Sequence, residues 1–293
     1  MRRMEVHGWG KTLPSTEGGG DTGNGGCDVR DRADGRAILV EFLGMPGSGK
    51  STLARELEKQ LRERDHRVHL SPGMPRATWR EVKAARGMRR KLWRVARMLA
   101  ITTSRGFRYP GIALWHVRMA LARSERETGI SVLDLTHFQR TTERFHVVRK
   151  AVRTRGIHLF QGGAGLKATA NLASHDPGLG TRHLVPSLRG SDVSVIAVLV
   201  ECDPQALQER LRSRRGHPRS RAQALDPVTF RARMDGVEFR HAFAERLQKE
   251  GTIPGLAVVR VDNSSEEHLT PAVTQILRAI EGGDEGSDAE SET

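Results

Sequence analysis

The chain has 293 residues, of which 37% are hydrophobic and 28% charged, a composition typical of a globular protein with a substantial core. Its formal net charge of +13 indicates anionic partners, namely nucleotide phosphates, nucleic acid or a membrane surface, unless the basic residues only cover solvent-facing helices. No apolar run could span a bilayer and no signal peptide is evident, so we expect a cytoplasmic protein without a transmembrane segment. Cys27 and Cys202 fit no metal-ligand spacing and are expected to be free thiols.

The chain divides into a domain and two flanking segments. Residues 1–36 are rich in Gly, Ser, Thr and Asp and are expected to form a disordered leader. Residues 282–293 predict an acidic disordered tail. Between them, residues 37–281 alternate strand-like and helix-like segments, which is typical of an α/β fold with a parallel sheet.

The first half of this domain predicts three strands. Residues 37–43 (AILVEFL) form a buried strand, 66–70 a second and 130–135 (ISVLDL) a third. The helix after the first strand places Leu53, Leu57 and Leu61 on one face. Further helices are predicted over about 77–103 and 111–127, a basic helical insertion, and over 141–156.

The second half begins with an interruption. Residues 156–192 are Gly-rich and aperiodic, which predicts an insertion or mobile loop. Buried strands follow at 193–201 and 256–262. Two helices are expected to begin at Asp203-Pro204 and Asp226-Pro227, where Asp is the N-cap and Pro the first helical residue. Ser264 and Glu267 have the spacing of a capping box for the last helix.

A glycine-rich motif between the first strand and its helix carries the strongest functional signal. It fits the P-loop pattern G-x-x-x-x-G-K-[ST] and consists, with the following Thr, of Gly44, Met45, Pro46, Gly47, Ser48, Gly49, Lys50, Ser51 and Thr52. Its backbone N–H groups and the helix N-terminus would bind phosphate oxygens. Lys50 would neutralise the β- and γ-phosphates, and the Ser51 hydroxyl would ligate Mg²⁺.

Asp134 ends the third predicted strand, where its carboxylate is expected to hold Mg²⁺ or to accept a proton from an attacking hydroxyl, unless it only caps a turn. The next residue is Leu135, not the Glu that a motor ATPase uses to activate water. The pair therefore favours phosphoryl transfer over hydrolysis for mechanical work.

An Arg-rich stretch at about 210–225 predicts a lid that closes over the γ-phosphate. Its candidate residues are Arg210, Arg212, Arg214, Arg215, Arg219 and Arg221. Arg210 and Arg215 are the preferred catalytic residues among them, and the others are expected to be solvated.

Two short segments are candidates for contacts with the phosphoryl acceptor, although both could also be ordinary loops. Pro72, Gly73 and Arg76 follow the second predicted strand, and His137 and Gln139 follow Asp134. The basic helices at 77–127 could cover an anionic acceptor, contact a nucleic-acid backbone, or present a solvated face.

Together these segments resemble the P-loop nucleotide kinase family, with thymidylate-kinase-like proteins the nearest in style, over residues 37–281. The resemblance implies a three-layer P-loop NTPase fold with a central parallel sheet in the order 2-3-1-4-5 and helical substrate and lid segments. It also implies that ATP and Mg²⁺ bind, and that Asn263, in VDNSS, borders the adenine. The chain departs from that family at two places. The family has Arg-Glu where this chain has Leu70-Ser71, and Arg where this chain has Leu135.

The sequence therefore predicts an ATP-dependent kinase that phosphorylates a small-molecule or nucleotide acceptor. The absence of an NKxD motif favours ATP over GTP. Two alternatives stay open: a nucleic-acid-directed enzyme similar to a polynucleotide kinase, and a regulatory protein that binds nucleotide without transferring phosphate. Nucleic acid is a less favoured partner than a small molecule.

Overall fold

The computed structural model describes residues 36–71, 103–104, 107–114, 116–117, 132–174, 177–188, 192–213 and 226–282, without the side chains of residues 132–137, 139 and 177. The predicted leader, apart from residue 36, and the acidic tail after residue 282 lie outside this range. So does most of the basic helical insertion; within it, residues 110–114 are helical.

Five parallel strands form one sheet in the order β2-β3-β1-β4-β5. The strands are β1 (Ala37–Gly44), β2 (Val68–Ser71), β3 (Gly156–Phe160), β4 (Val193–Glu201) and β5 (Leu256–Asp262). The predicted α/β class and the predicted strand order are therefore confirmed. Four of the five strands lie close to the positions expected from the sequence.

Seven helices of at least nine residues accompany the sheet in the described ranges. They are α1 (Lys50–Glu63), α2 (Val132–Ala151), α3 (Gly165–Ala173), α4 (Pro177–Leu188), α5 (Pro204–Ser213), α6 (Pro227–Lys249) and α7 (Leu269–Glu281). None of the helices in the described part of the chain is both long enough and apolar enough to cross a membrane.

The sheet is buried on both faces, because side chains along a strand alternate between them. Ile38, Val40 and Phe42 of β1 pack with the α1 leucines and the apolar side of α7. Leu39 and Leu43 pack on the opposite face, where α2, α3, α4 and α6 cover the sheet. The result is three layers, and it places the carboxyl ends of all five strands along one edge.

Local capping signals correctly predicted two helix starts. The Asp203 carboxylate accepts hydrogen bonds from the N–H groups of Gln205 and Ala206 at 2.9 and 3.0 Å, where α5 begins. Asp226 accepts one from Thr229 N–H at 2.9 Å at the start of α6. The capping box is wrong: α7 begins at Leu269, and the Ser264 hydroxyl instead donates to Asp262 Oδ1 and accepts from Asp203 N–H.

The third strand was predicted in the wrong place. Residues 132–135 belong to helix α2 rather than to a strand. The physical reason lies further along this helix, where Phe138, Thr142, Phe145 and Val148 are buried at spacings of three or four residues, which define one helical face. Residues 132–135 extend that helix toward its N-terminus.

The prediction that residues 156–192 form an insertion or mobile loop is also wrong. This segment contains β3, α3 and α4. β3 lies between β1 and β2 and is buried along its whole length. It has only five residues and is followed directly by a Gly-rich turn. The segment is therefore too short for its sequence pattern to distinguish a strand from a loop.

Candidate functional site

The glycine-rich segment forms a tight loop between β1 and α1. The Lys50 ammonium group folds back into this loop: Nζ donates to the carbonyl oxygens of Gly44, at 3.0 Å, and Met45, and lies 3.3 Å from Ser48 Oγ. The only lysine of the loop is thus held at its centre by backbone and hydroxyl oxygens. An entering phosphate group could recruit the ammonium group from these acceptors.

Gly49 occupies a position that only glycine can take. Its φ is +83°, in the left-handed region, and it serves as the N-cap of α1. A Cβ at this position would lie 1.9 Å from Nδ2 of Asn263. The close approach exists because Asn263 Nδ2 donates to the carbonyl oxygen of Ser48 at 2.8 Å. The end of β5 therefore braces the loop directly.

The N-terminus of α1 is arranged to attract an anion. Thr52 N–H and Leu53 N–H both donate to the Gly49 carbonyl, at 2.8 and 3.0 Å. The N–H groups of Lys50 and Ser51 have no acceptor within the helix, as in the first turn of any helix. The first turn contains no acidic residue, so the positive end of the helix dipole is not offset by its own side chains.

Arg210 connects helix α5 to the segment after β5. Its guanidinium donates to the carbonyl oxygens of Asn263 and Ser264 at 2.7 and 3.0 Å, and its Nη1 lies 3.4 Å from Cys202 Sγ. These bonds hold Asn263, and through it the glycine-rich loop. Arg210 was predicted to act on the γ-phosphate, and that role stays a prediction; the contacts present are those of a positioning residue.

The loop opens on a cavity of about 560 Å³, here called the loop cavity. Its lining consists of Gly44, Met45, Pro46, Lys50, Lys167, Ala232, Arg233, Gly236 and Arg240. Four of these nine residues are cationic and none is acidic. The volume lies in the range of small-ligand sites, and the charge indicates an anionic ligand.

Three cationic side chains converge beside the loop cavity from different helices. They are Arg144 of α2, Lys167 of α3 and Arg240 of α6. Burial, reinforced by the charges of Arg144, Arg240 and Lys50, lowers the pKa of Lys167 to about 7. Burial also lowers the pKa of Arg144 to about 10, against the opposing charge of Glu41, and lowers that of Arg240. We call Arg144, Lys167 and Arg240 the cation cluster.

The charge of one acidic residue, Glu41, acts on both Arg144 and Lys167. Glu41 lies in the middle of β1 and is buried. Its Oε2 accepts from Ala164 N–H at 2.7 Å, and both oxygens accept from Leu166 N–H at 3.1 Å. Burial raises the pKa of this carboxyl group, while the backbone hydrogen bonds lower it. Glu41 thus joins the strand that leads into the glycine-rich loop to the first turn of α3, which carries Lys167.

Most of the residues predicted to bind magnesium or the acceptor lack a described side chain or lie outside the described ranges. Asp134 and His137 lie in α2, and their side chains, like that of Gln139, are outside the described part of the structure. The strand end that suggested a role for Asp134 does not exist, because β3 ends instead at Phe160. Pro72, Gly73, Arg76 and the lid arginines Arg214, Arg215, Arg219 and Arg221 also lie outside the described residues.

Of the remaining predicted site residues, the structure brings together Gly44 to Thr52 and Asn263. Ser51 is exposed in the first turn of α1. No described cluster of three His, Cys, Asp or Glu residues surrounds it or any other point in those ranges.

A second cavity, of about 500 Å³, lies at the β2–β3 edge of the sheet under α2. The rings of His69 and His158 stack there with their centroids 4.6 Å apart. Burial lowers the pKa of His158. Its lining includes Glu143, Lys150 and Gln161. The glycine-rich loop does not contribute to this cavity, so the loop cavity is the stronger candidate for an anion.

Sequence reasoning missed Glu41 and the cation cluster. A signal for two of these residues was present: Glu41 is a single acid in an otherwise apolar strand, and Lys167 is the only charged residue in α3 (GLKATANLA). A charged residue in a buried element requires a partner or a function. Arg144 and Arg240 belong to helices with many charges, and their sequence context does not distinguish them.

No protein-family model matches the chain, and no curated protein sequence matches it significantly.

Proposed function

We propose that the chain binds ATP·Mg²⁺ at the loop between β1 and α1 and transfers the γ-phosphoryl group to an acceptor in the loop cavity. The observation that carries this proposal is the position of Lys50. Its ammonium group lies inside a glycine loop at a helix N-terminus, and the loop opens on a cavity lined by four cations and no acid. This combination suits a polyphosphate.

The residues present fit the phosphate tail of a nucleotide. A side chain at Gly49 would collide with Asn263, so the loop stays narrow and its backbone can approach an anion closely. Lys50 would leave its loop acceptors to pair with the terminal phosphates, and the Ser51 hydroxyl would contribute to holding Mg²⁺. Bound ATP would supply the phosphoryl group and its leaving group.

Phosphoryl transfer requires mainly positioning and charge stabilisation from the protein. Lys50, Lys167, Arg233 and Arg240 line the loop cavity and would offset the negative charge of the transferring group. Lys50, Lys167, Arg233 and Arg240 are each partly buried, so their charges would act on a bound anion more strongly than charges in bulk water do.

The test is a screen for ATP consumption with nucleosides, nucleoside monophosphates, sugars, small alcohols and 5′-hydroxyl oligonucleotides. It is combined with calorimetric titration of the ATP analogue AMP-PNP. Lys50→Ala should abolish both turnover and analogue binding, whereas Lys59→Ala, on the exposed side of α1, should match the wild type. Turnover that survives Lys50→Ala would refute the assignment of the site.

A second candidate is a regulatory protein that binds nucleotide without transferring phosphate. The observation that favours it is the absence of a carboxylate among the described residues that line the loop cavity. This candidate predicts analogue binding with no turnover on any acceptor, and no catalytic effect of Asp134→Asn. The kinase proposal instead predicts an acceptor-dependent loss of ATP.

A further inference from the structure

Residues 107–117 of the basic helical insertion are attached to the rest of the domain by one side. Tyr109 and His116 of this segment are buried. The centroid of the Tyr109 ring lies 6.3 Å from that of Phe145 in α2, and the centroid of the His116 ring lies 5.4 Å from that of Phe138 in the same helix. These contacts establish which side of the segment faces α2.

The opposite side of the segment is also apolar, but it is exposed. Phe107 is 83% exposed, Leu114 54% and Val117 53%. Pro110, which is also exposed, lies four residues before Leu114 and therefore on the same side of the helix. We call Phe107, Pro110, Leu114 and Val117 the exposed apolar face. A helix that is apolar on two sides is expected to be covered on both.

The chain around the exposed apolar face is strongly basic. Residues 77–127 contain thirteen Lys or Arg residues and three Asp or Glu residues, so they carry a net charge of +10 out of the total of +13. Arg108, next to Phe107, is itself exposed. The same segment contains three of the four tryptophans of the chain, a residue type that favours the boundary between hydrocarbon and water. A partner at this face must therefore accept both apolar side chains and positive charge.

An anionic membrane surface meets both requirements. The apolar side chains of an interfacial helix enter the boundary between headgroups and acyl chains, while Lys and Arg bind the anionic headgroups. A nucleic-acid backbone would attract the positive charge, but it offers little to the aliphatic side chains of Leu114 and Val117. A second copy of the chain would bring together two segments that each carry a net charge of +10, and these would repel each other.

We propose that the exposed apolar face is a docking surface for bilayers that contain anionic lipids. Phe107, Leu114 and Val117 would enter the outer part of the hydrocarbon layer, and the surrounding Lys and Arg side chains would bind lipid phosphates. Such binding is peripheral and requires no spanning helix. It goes beyond the proposed function, because the glycine-rich loop takes no part in it.

The first experiment measures sedimentation of the full chain with sucrose-loaded vesicles. One set contains phosphatidylcholine alone, and the other contains phosphatidylcholine with phosphatidylglycerol. At about 150 mM salt, affinity for the anionic vesicles should be higher by at least about tenfold, because each Lys or Arg near an anionic surface contributes to binding. Equal affinity for the two sets, or binding to neither, would overturn the proposal.

Substitutions test whether the apolar side chains enter the bilayer. Phe107→Ser should weaken binding to the anionic vesicles by about tenfold and Val117→Ser by about threefold, because each removes apolar surface that the membrane would bury. Val228→Ser is the matched control, since Val228 is an exposed valine of α6, and it should bind as the wild type does. Urea denaturation should show that all three variants stay folded.

These substitutions also separate insertion from adsorption by charge alone. Any protein of high positive charge adheres to some extent to an anionic surface. If Phe107→Ser and Val117→Ser bind the anionic vesicles as tightly as the wild type and Val228→Ser, the charge alone explains the binding, and the exposed apolar face is not a docking surface.

Two further measurements test other occupants of the face. The proposal requires that Val117→Ser bind a fluorescent single-stranded oligonucleotide as the wild type does, and that sedimentation velocity show no self-association that depends on Phe107 or Val117. An oligonucleotide affinity that falls in Val117→Ser would assign the face to nucleic acid. Self-association that Phe107→Ser abolishes would assign it to a second copy. Either result would overturn membrane docking.

Vesicle binding and AMP-PNP binding are measured separately, so either proposal can fail alone. Vesicle binding that depends on Phe107 supports the docking surface even if AMP-PNP does not bind. AMP-PNP binding that depends on Lys50, without vesicle binding, refutes only the docking surface.

Discussion

The side-chain amide of Asn263 donates a 2.8 Å hydrogen bond to the carbonyl oxygen of Ser48 and joins the end of β5 to the middle of the glycine-rich loop. The two residues are 215 positions apart in the chain. Asn263 is buried, so water cannot replace its amide if the side chain is removed. The shape of the loop therefore depends on a residue that is distant in sequence but in direct contact with the loop in the fold.

Asn263→Ala should lower the free energy of unfolding by about 1–3 kcal/mol, because it leaves the Ser48 carbonyl without its donor in a buried setting. It should also weaken AMP-PNP binding through the loop. Urea denaturation and calorimetry measure the two effects, with exposed Glu266→Ala as the control. A variant as stable as the wild type would show that the loop does not need this bond.

Gly49→Ala should be more damaging, since it adds a Cβ 1.9 Å from Asn263 Nδ2 at a φ of +83°. Backbone strain and the displaced amide together predict a loss of about 2–4 kcal/mol in unfolding free energy, and nucleotide binding should be lost. Gly162→Ala is the matched control, because a Cβ there meets no atom within 4 Å. Thermal denaturation of both variants gives the comparison.

Arg210→Met should reduce nucleotide affinity rather than only the rate of turnover. The guanidinium holds the carbonyls of Asn263 and Ser264, and its removal releases the segment that braces the loop. Arg212→Met, at an exposed arginine of the same helix, should have little effect. If AMP-PNP affinity is unchanged while turnover falls, Arg210 is a lid residue in direct contact with phosphate, as the sequence predicted.

Lys167 should make stability rise with pH in phosphate-free buffer. Its pKa is lowered from 10.5 to about 7 in the folded state, so between these values the unfolded chain binds more protons and stability increases with pH. The loss of stability caused by burying the charged Lys167 ammonium group is complete below about pH 7 and absent above pH 10.5.

Lys167→Met should remove this slope. The stability of the wild type relative to the variant should therefore rise by at most about 5 kcal/mol across the window, at roughly 1.4 kcal/mol per pKa unit. Urea denaturation at intervals from pH 7 to 10 measures it. Lys59→Met should keep the wild-type slope, and parallel curves for wild type and Lys167→Met would exclude a buried ammonium group.

The parts of the fold that sequence predicted correctly are those with strong local patterns. β1, β4 and β5 are apolar runs, and the leucines of α1 recur every four residues. The Gly-Lys-Ser sequence after an apolar run predicts a loop between β1 and α1. Each of these signals is contained in fewer than twenty adjacent residues, so no tertiary information is needed to recognise it.

The errors occurred where tertiary contacts decide the structure. Residues 130–135 have the composition of a strand, yet residues 132–135 belong to the helix whose buried side chains include Phe138 and Phe145. β3 is buried because it pairs with β1 and β2 on either side, which its short sequence does not reveal. The cation cluster draws one residue from each of three helices, so its members meet only after folding.

Glu41 gives the two ends of the proposed site a common mechanical support. It lies three residues before Gly44 on β1, and its carboxylate accepts hydrogen bonds from Ala164 and Leu166 N–H, three residues and one residue before Lys167. A ligand that shifts the glycine-rich loop would transmit the shift along this rigid link to the opposite wall. The energies of occupying the two ends would then be coupled rather than independent, and the order in which two ligands arrive would change the affinity that each one experiences.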